Sequence, residues 1–288
     1  MSSTPLDSVA VVSVSYNSGR HLQKFLTSIR ASEAHGLTVV IADNGSSDIE
    51  STRAVCIEHA ATLLELDDNY GYGGAINRAI ATLPATITTV LISNPDVIFT
   101  SGSITALAGA MDDLPAAGAV GPRVLNSDGT VYPSARQLPS LRTGTGHALF
   151  SKIWRSNPWT ARYLSDLSES SVNREAGWLS GSCLLVRRTA YDAIGGFDDA
   201  FFMYFEDVDL GYRLGKAGWK SFYIPHAVVT HSGAHSTGTE SSRMLQAHHK
   251  SAYLYLSRKY SAWYLAPLRW SLKAGLGFRS WWLTRATR

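Results

Sequence analysis

Short, continuously apolar runs alternate with amphipathic helical stretches through roughly the first hundred residues, and a chain built this way has few folds open to it. The run from Ser8 to Tyr16 is mostly Val, Ala and Ser, the pattern of a strand buried on both faces. Leu22, Phe25, Leu26 and Ile29 recur at i, i+3, i+4 and i+7, which predicts a helix with one apolar stripe, and Ser18 stands where its N-cap belongs. A strand is predicted from Leu37 to Ala42, a helix from Asp48 to Ala60, a strand from Thr62 to Leu66, a helix from Gly74 to Leu83 and a buried strand from Thr88 to Ser93. Strand and helix in succession imply an α/β fold with a doubly wound, mainly parallel sheet. Such sheets bind ligands beyond the carboxyl ends of their strands. Polar clusters sit at those ends here: Tyr16-Asn17, Asp43-Asn44, Asp67-Asp68-Asn69 and Asn94-Pro95-Asp96.

Beyond Gly118 the pattern becomes mixed, with strands expected from Trp178 to Arg188, Lys220 to Ile224 and Ala227 to Thr230, and a helix from Glu206 to Lys216. The α/β body is expected to occupy residues 1–235 and a helical, aromatic and basic tail residues 236–288. Composition, 45% hydrophobic and 17% charged, excludes a disordered chain. Cys56 and Cys183 lie in apolar stretches without metal-ligand spacing, which predicts buried free thiols in a reducing compartment. The segment from Met1 to Asp7 lacks the basic and apolar regions of a secretory leader, and no apolar run reaches the roughly 20 residues that span a bilayer. A cytoplasmic protein is therefore expected.

Charge is unevenly spread. After Glu240 there are nine basic residues and no acidic one, so the rest of this +3 chain is net negative. At about 100° per residue, Trp263, Tyr264, Trp270, Phe278, Trp281 and Trp282 share one stripe, while Arg269, Lys273 and Arg279 lie off it. That pattern suits a helix lying peripherally on the inner face of the cell membrane, and also a helix docked on the body, with Pro267, Gly275 and Gly277 interrupting the period. No nucleic-acid-binding motif accompanies the basic tail, so no nucleic-acid partner is expected. A homo-oligomer is left open.

Several side chains carry chemistry. Asp43 ends a strand, where a carboxylate either accepts hydrogen bonds from a nucleoside or closes a simple Asx turn. A nicotinamide enzyme would need G-x-G-x-x-G after the first strand, where this chain has Ser15-Tyr16-Asn17-Ser18-Gly19. Asn69, Gly71, Gly73, Gly74, Asn77 and Arg78 form a glycine-rich entry to a helix, which fits an anion at the helix N-terminus or a tight turn. Asn94-Pro95-Asp96 places oxygen ligands after a rigid strand, which suits a divalent cation or an ordinary turn. Glu206, Asp207 and Asp209 open a helix behind an aromatic run. Helix capping explains part of this cluster, and a general base at an apolar edge explains the rest. His231, one of nine histidines, is by itself most simply structural.

In this order, these segments, together with Trp178-Leu179-Ser180-Gly181-Ser182-Cys183, resemble the family-2 glycosyltransferases of the GT-A fold over roughly residues 8–235. Asn94-Pro95-Asp96 and Glu206-Asp207-Val208-Asp209-Leu210 look most like the rhamnosyltransferase branch. The resemblance implies a GT-A catalytic domain with a nucleotide-sugar half at about 1–125 and an acceptor half at about 126–235, followed by the helical appendage. It implies inverting transfer of a sugar from a nucleoside-diphosphate donor, L-rhamnose from dTDP-L-rhamnose in that branch, to a polyprenyl-diphosphate-linked GlcNAc acceptor in cell-wall polysaccharide linker synthesis. Tyr16 and Asp43 would hold the base. Asn69, Gly73, Gly74, Asn77, Arg78 and Asn94 would line the rest of the donor site. Asp96 and His231 would hold Mg²⁺ or Mn²⁺, and Asp207 would be the general base. Trp178, Gly181, Glu206 and Asp209 would shape the acceptor side. The family's usual Asp-x-Asp is Asn94-x-Asp96 here. Galactofuranosyl or N-acetylglucosaminyl transfer, a sugar-nucleotide nucleotidyltransferase and a non-catalytic nucleotide-sugar-binding module are the competing readings.

Overall fold

The computed structural model describes residues 6–32, 36–140, 171–232 and 241–286, with side chains from 246 to 277 in the last segment. Within the parallel part of its main sheet lies β1 (Val9–Ser15), with every residue buried. Ala10, Val12 and Val14 serve one core, Val9 and Val11 the core on the opposite face, which is why the run is apolar without alternation. Parallel neighbours flank it: β2 (Thr38–Asp43) on one side and β4 (Thr89–Ser93) on the other, with β3 (Thr62–Glu65) beyond β2. The helices between them are α1 (Gly19–Ala31), α2 (Ile49–Glu58) and α3 (Gly71–Ala81). The chain winds outward from β1 to β3 and then returns to place β4 on the other side of β1. The winding therefore reverses between β1 and β4, where an open α/β sheet has its ligand crevice.

The second half continues through β5 (Val97–Phe99), α4 (Ser103–Asp113), β6 (Ala117–Leu125), β7 (Val131–Tyr132), β8 (Ala135–Arg136), β9 (Arg174–Ala176), β10 (Trp178–Leu179), β11 (Cys183–Arg187), α5 (Arg188–Ala193), α6 (Glu206–Lys216) and β12 (Lys220–His231). Along the main sheet the order is β3-β2-β1-β4-β11-β6-β12-β5. Strand β11 runs antiparallel to both β4 and β6, so the sheet is mixed. This reversal sets Cys183, at the start of β11, beside Ser93, at the end of β4, and so brings the segment before β11 to the ligand edge.

Local departures from the sequence reading have local causes. The stretch from Trp178 to Arg188 is two strands because Ser180, Gly181 and Ser182 turn between sheets. The two strands expected between Lys220 and Thr230 are one, with a bulge between Ile224 and Val228 that absorbs Pro225. Helix α3 starts at Gly71, ahead of the expected Gly74. The apolar stripe Leu22, Phe25, Leu26 and Ile29 of α1 is buried as expected. Ser18 occupies the N-cap position, but its hydroxyl donates to the Tyr16 carbonyl instead of capping the helix.

The appendage contains two helices, α7 (Ser241–Lys259) and α8 (Ala266–Ala286); the expected boundary at 236 lies outside the described residues. Helix α7 docks on the body. Tyr255 is buried against Phe201 and Val208, Arg258 pairs with Asp198, and the Ser251 hydroxyl donates to the Met203 carbonyl. Pro267 sits in the first turn of α8, where its missing N–H costs nothing, and the helix runs through Gly275 and Gly277. Trp263 and Tyr264 lie in a 3-10 turn before α8 and, with Trp270, are largely exposed. Arg269 donates to the carbonyls of Tyr260 and Ala262 and so closes the turn between the helices. The side chains of Phe278, Trp281, Trp282 and Arg279 lie outside the described residues. Among the described residues no helix is long and apolar enough to cross a membrane.

Candidate active site

The loops at the carboxyl ends of β1, β2 and β3 are tied into one surface. Asn17, at φ 52°, donates its N–H to the Ser46 hydroxyl at 2.9 Å, and its Oδ1 accepts the Ser47 N–H at 3.0 Å. Asp43 is 1% exposed, and its carboxylate accepts both the N–H and the hydroxyl of Ser46, at 2.8 and 2.7 Å. It thus forms the Asx turn that the sequence allowed, with about half of a carboxylate's four lone-pair sites left over. Tyr16, 52% exposed, directly follows the carboxyl end of β1.

The glycine-rich segment forms the tight turn that the sequence allowed, packed on a neighbouring loop. Asn69 Oδ1 accepts from the Asn44 side chain at 2.9 Å and from the Gly71 N–H at 3.0 Å, so it braces the turn. A Cβ on Gly73 would fall 2.7 Å from the Phe197 Cβ, one on Gly74 3.1 Å from the Tyr70 Cβ, and one on Gly71, at φ +71°, against the Phe202 carbonyl. Side-chain and backbone atoms of the 197–202 loop pack against Gly71 and Gly73 where a Cβ would stand, the close approach that these glycines permit. Asn77 is spent the same way: its amide donates to the Phe197 carbonyl and Asp199 and accepts from the Tyr191 hydroxyl and the Phe197 N–H. Arg78 lies 3.4 Å over the Tyr70 ring and donates to the Gly74 carbonyl. This helix entry is a packing device that carries the 197–205 loop.

Asn94, Asp96 and His231 do converge. His231 Nε2 is 3.1 Å from Asp96 Oδ1 and 3.3 Å from Asn94 Nδ2, and both the His231 and Asp96 side chains are largely buried. The cause is strand pairing: His231, at the end of β12, lies opposite Val97 of β5, and the Ser232 N–H donates to the Asp96 carbonyl. A residue distant in sequence is thereby fixed to the Asn-Pro-Asp turn. Tyr132 meets the His231 ring edge-on, a contact that the sequence did not suggest. Among the described residues, no cluster of three or more His, Cys, Asp or Glu forms a closed metal site. Asp96 and His231 offer one oxygen and one nitrogen.

Asp207 reaches the same edge by another route. The Asn94 N–H donates to the Ser182 carbonyl at 2.9 Å, and the adjoining Gly181 N–H donates to Asp207 Oδ2, also at 2.9 Å. Gly181 and Ser182 thus stand between the two sites. The Gly181 carbonyl accepts from the Tyr72 hydroxyl at 2.6 Å, and a Cβ at Gly181 would make ordinary van der Waals contact with both Tyr72 and Asp207. Asp207 Oδ1 accepts the Val208 N–H at 2.8 Å. Burial pushes the Asp207 carboxyl above the usual carboxylate range, opposed by backbone N–H groups and by the Arg136 guanidinium. Arg136, on β8, also approaches the Trp178 ring, whose Nε1–H donates to the Gln137 carbonyl. Neither Arg136 nor Tyr72 carries a motif, and only pairing of β8 with β10 and docking of α3 bring them in. Tyr204 and Phe205 take left-handed φ values of 65° and 66°, uncommon for aromatic residues, and lead directly into the carboxylates of α6.

Asp209 departs from its expected acceptor role. Two residues on from Asp207 is about 200° around a helix. Asp209 therefore turns away, is 2% exposed, and pairs with Arg213 at 2.6 Å. Arg213 in turn holds the Ile194 and Gly196 carbonyls. Asp209 is a buried anchor for the loop before α6.

Comparison with known proteins agrees with this fold. The model of glycosyltransferase like family 2 matches residues 5–250. The chain is 48% identical, over 98% of its length and 94% of the relative's, to an N-acetylglucosaminyl-diphospho-decaprenol L-rhamnosyltransferase of Mycobacterium tuberculosis. It is 24% identical to the rhamnosyltransferase WbbL of Escherichia coli, over 87% of this chain and 93% of that one. A mannosyltransferase from Pyrobaculum calidifontis, solved with GDP-Man and Mn²⁺, shares the fold with a TM-score of 0.59 at 16% identity, covering 96% of this chain and 71% of its own. A family match across most of the length, together with a relative this similar from end to end, identifies the chain as a member of glycosyltransferase like family 2.

Proposed function

We propose that the chain transfers L-rhamnose from dTDP-L-rhamnose to a GlcNAc-diphospho-polyprenol acceptor, with inversion at the sugar carbon. Identity of 48% along nearly the whole chain to a mycobacterial rhamnosyltransferase is the observation that carries this reading. In this reading the nucleotide half precedes the acceptor half within the α/β body. The base sits at the β1/β4 crevice, stacked by Tyr16, with the remaining lone pairs of Asp43 near its polar edge.

Asp96 and His231 suit a divalent cation. Two cis ligands on an octahedral ion with bonds of roughly 2.1 Å lie about 3.0 Å apart, and the atoms here are 3.1 Å apart. Mg²⁺ or Mn²⁺ held there would offset the charge of the departing diphosphate. Asn94, a neutral amide where the family usually has a carboxylate, has its Nδ2 3.3 Å from the same His231 Nε2, a contact that would give way when that nitrogen takes a cation. Asp207 takes the proton of the acceptor hydroxyl as that oxygen bonds to the sugar carbon and the carbon–phosphate oxygen bond breaks on the opposite face. Backbone donors from Gly181 and Val208 hold its carboxylate in place. A raised carboxyl is a stronger base than an ordinary aspartate, which suits proton removal from a sugar alcohol near neutral pH. Trp178 and Gly181 bound the acceptor side. The exposed Trp263, Tyr264 and Trp270 support a peripheral contact of the basic tail with the anionic membrane that carries such an acceptor, a contact that liposome flotation with and without residues 262–288 reads directly.

The experiment offers dTDP-L-rhamnose and several UDP-sugars, with and without Mn²⁺, to polyprenyl-diphospho-GlcNAc. Rhamnose should be transferred in preference to the others, and only with the metal. Transfer of galactofuranose or N-acetylglucosamine alone would move the chain to another branch of the family, and donor binding without turnover would make it a binding module.

A further inference from the structure

Two carboxyls stand side by side at the start of α6, and their surroundings differ sharply. Asp207 accepts from the Gly181 and Val208 N–H groups and feels the Arg136 guanidinium, all of which favour its charged form. Glu206 has weaker support, from its own backbone N–H. Its Oε2 is buried and has no hydrogen-bond partner. A buried carboxylate oxygen left unpaired is costly, whereas a carboxylic acid in the same place carries no net charge to desolvate. The preceding residues, Tyr204 and Phe205, hold left-handed backbone that aims this helix start, and the Phe205 ring is fixed against Tyr255 and His248.

The titratable neighbours reinforce the asymmetry. Asp207 lies next to Glu206 on the same helix, Tyr204 precedes it, and Tyr72 approaches from α3. His248 of α7 packs on Tyr204 and Phe205, and Arg136 of β8 acts on Asp207. Burial first, and then the charge of Asp207, push Glu206 up to about 8. Environments that separate two neighbouring carboxyls in this way divide acid and base roles between them.

We propose that Glu206 and Asp207 form an unequal pair, in which Glu206 is a neutral acid at working pH that keeps a second negative charge away from the ionised Asp207. Glu206 is thus a positioning residue. Its protonation leaves one net charge at the helix start, which spares the anionic diphosphates of donor and acceptor a second repulsion. This assignment rests on the reading of Asp207 as the base. Once Glu206 ionises, two like charges share a buried site, and activity should fall on the alkaline side.

The test compares wild type with Glu206→Gln, which keeps shape and neutrality but cannot ionise, and with Glu206→Ala. Wild-type kcat should decline above about pH 8, in step with the Glu206 carboxyl. Glu206→Gln, whatever its absolute rate, should lose that alkaline decline, so that its kcat at pH 9 relative to pH 7 stays flat where the wild-type ratio falls. Glu206→Ala should be impaired at every pH. An infrared difference spectrum between wild type and Glu206→Gln at pH 7, which needs neither donor nor acceptor, should show one carboxylic-acid C=O band belonging to Glu206. A wild-type spectrum with only a carboxylate band for Glu206, or an unchanged alkaline limb in folded Glu206→Gln, would overturn the pairing. A positive infrared result with no rhamnosyl transfer would instead remove the proposed reaction and leave the carboxyl pair intact.

Discussion

Replacing Asp207 by asparagine should lower kcat by about 10²- to 10⁴-fold, the usual worth of a positioned general base. Donor affinity should stay close to wild type, because Asp207 stands on the far side of Gly181 and Ser182 from the Asn94–Asp96–His231 cluster. The substitution also has a structural cost. Asp207 accepts two backbone N–H groups, from Gly181 and Val208, through two different oxygens. An asparagine has one oxygen, so one N–H loses its acceptor, at about 1–3 kcal/mol for a buried donor. Thermal melting and donor titration on the same preparation separate this loss from the chemistry. A folded Asp207→Asn that binds donor and turns over near the wild-type rate would remove Asp207 from the role.

The second large effect is expected at Asp96. Asp96→Ala removes the only carboxylate in contact with His231 among the described residues. Rate should fall by about 10²-fold or more, the kinetic equivalent of the several kcal/mol that a bound cation contributes to charge stabilisation. His231→Ala should be milder and should act through metal affinity, with the Mn²⁺ concentration for half-maximal rate rising by about tenfold or more. Excess Mn²⁺ should then restore part of the His231→Ala rate. A metal response unchanged in both variants would separate this cluster from the cation altogether.

The parallel half of the sheet was legible because a doubly buried strand leaves an unbroken apolar run, and β1, β2 and β4 each have one. The mixed half was legible in its longer elements, the helix Glu206–Lys216 and the strand Lys220–His231, and not in its short ones. Strands β7, β8 and β10 have two residues each, too short for any period, and β11 gives no sequence sign that it runs antiparallel. Within the site, the positions of Asp96, in the turn after β4, and Asp207, in the acidic first turn of α6, were legible from those local signals. His231 gained its meaning from the family resemblance, and its contact with Asp96 comes from the register of β12 on β5. The glycine-rich segment was ambiguous for a specific reason: glycine permits close approach without saying by what, and on the Cβ side the neighbour is the 197–202 loop. Asp209 misled because acids two apart look equivalent in sequence yet point to different sides of a helix. Arg136 and Tyr72 were invisible, since only tertiary packing brings them to Asp207 and Gly181.

Single displacement by an acceptor hydroxyl deprotonated at Asp207 makes a definite stereochemical demand. The anomeric configuration of the rhamnosyl-GlcNAc-diphospho-polyprenol formed by the wild-type chain, read by NMR against that of the donor, tests it most directly. The expected configuration is the opposite of the donor's. A product with the donor's configuration would require a second displacement and would contradict Asp207 as the base of a single step.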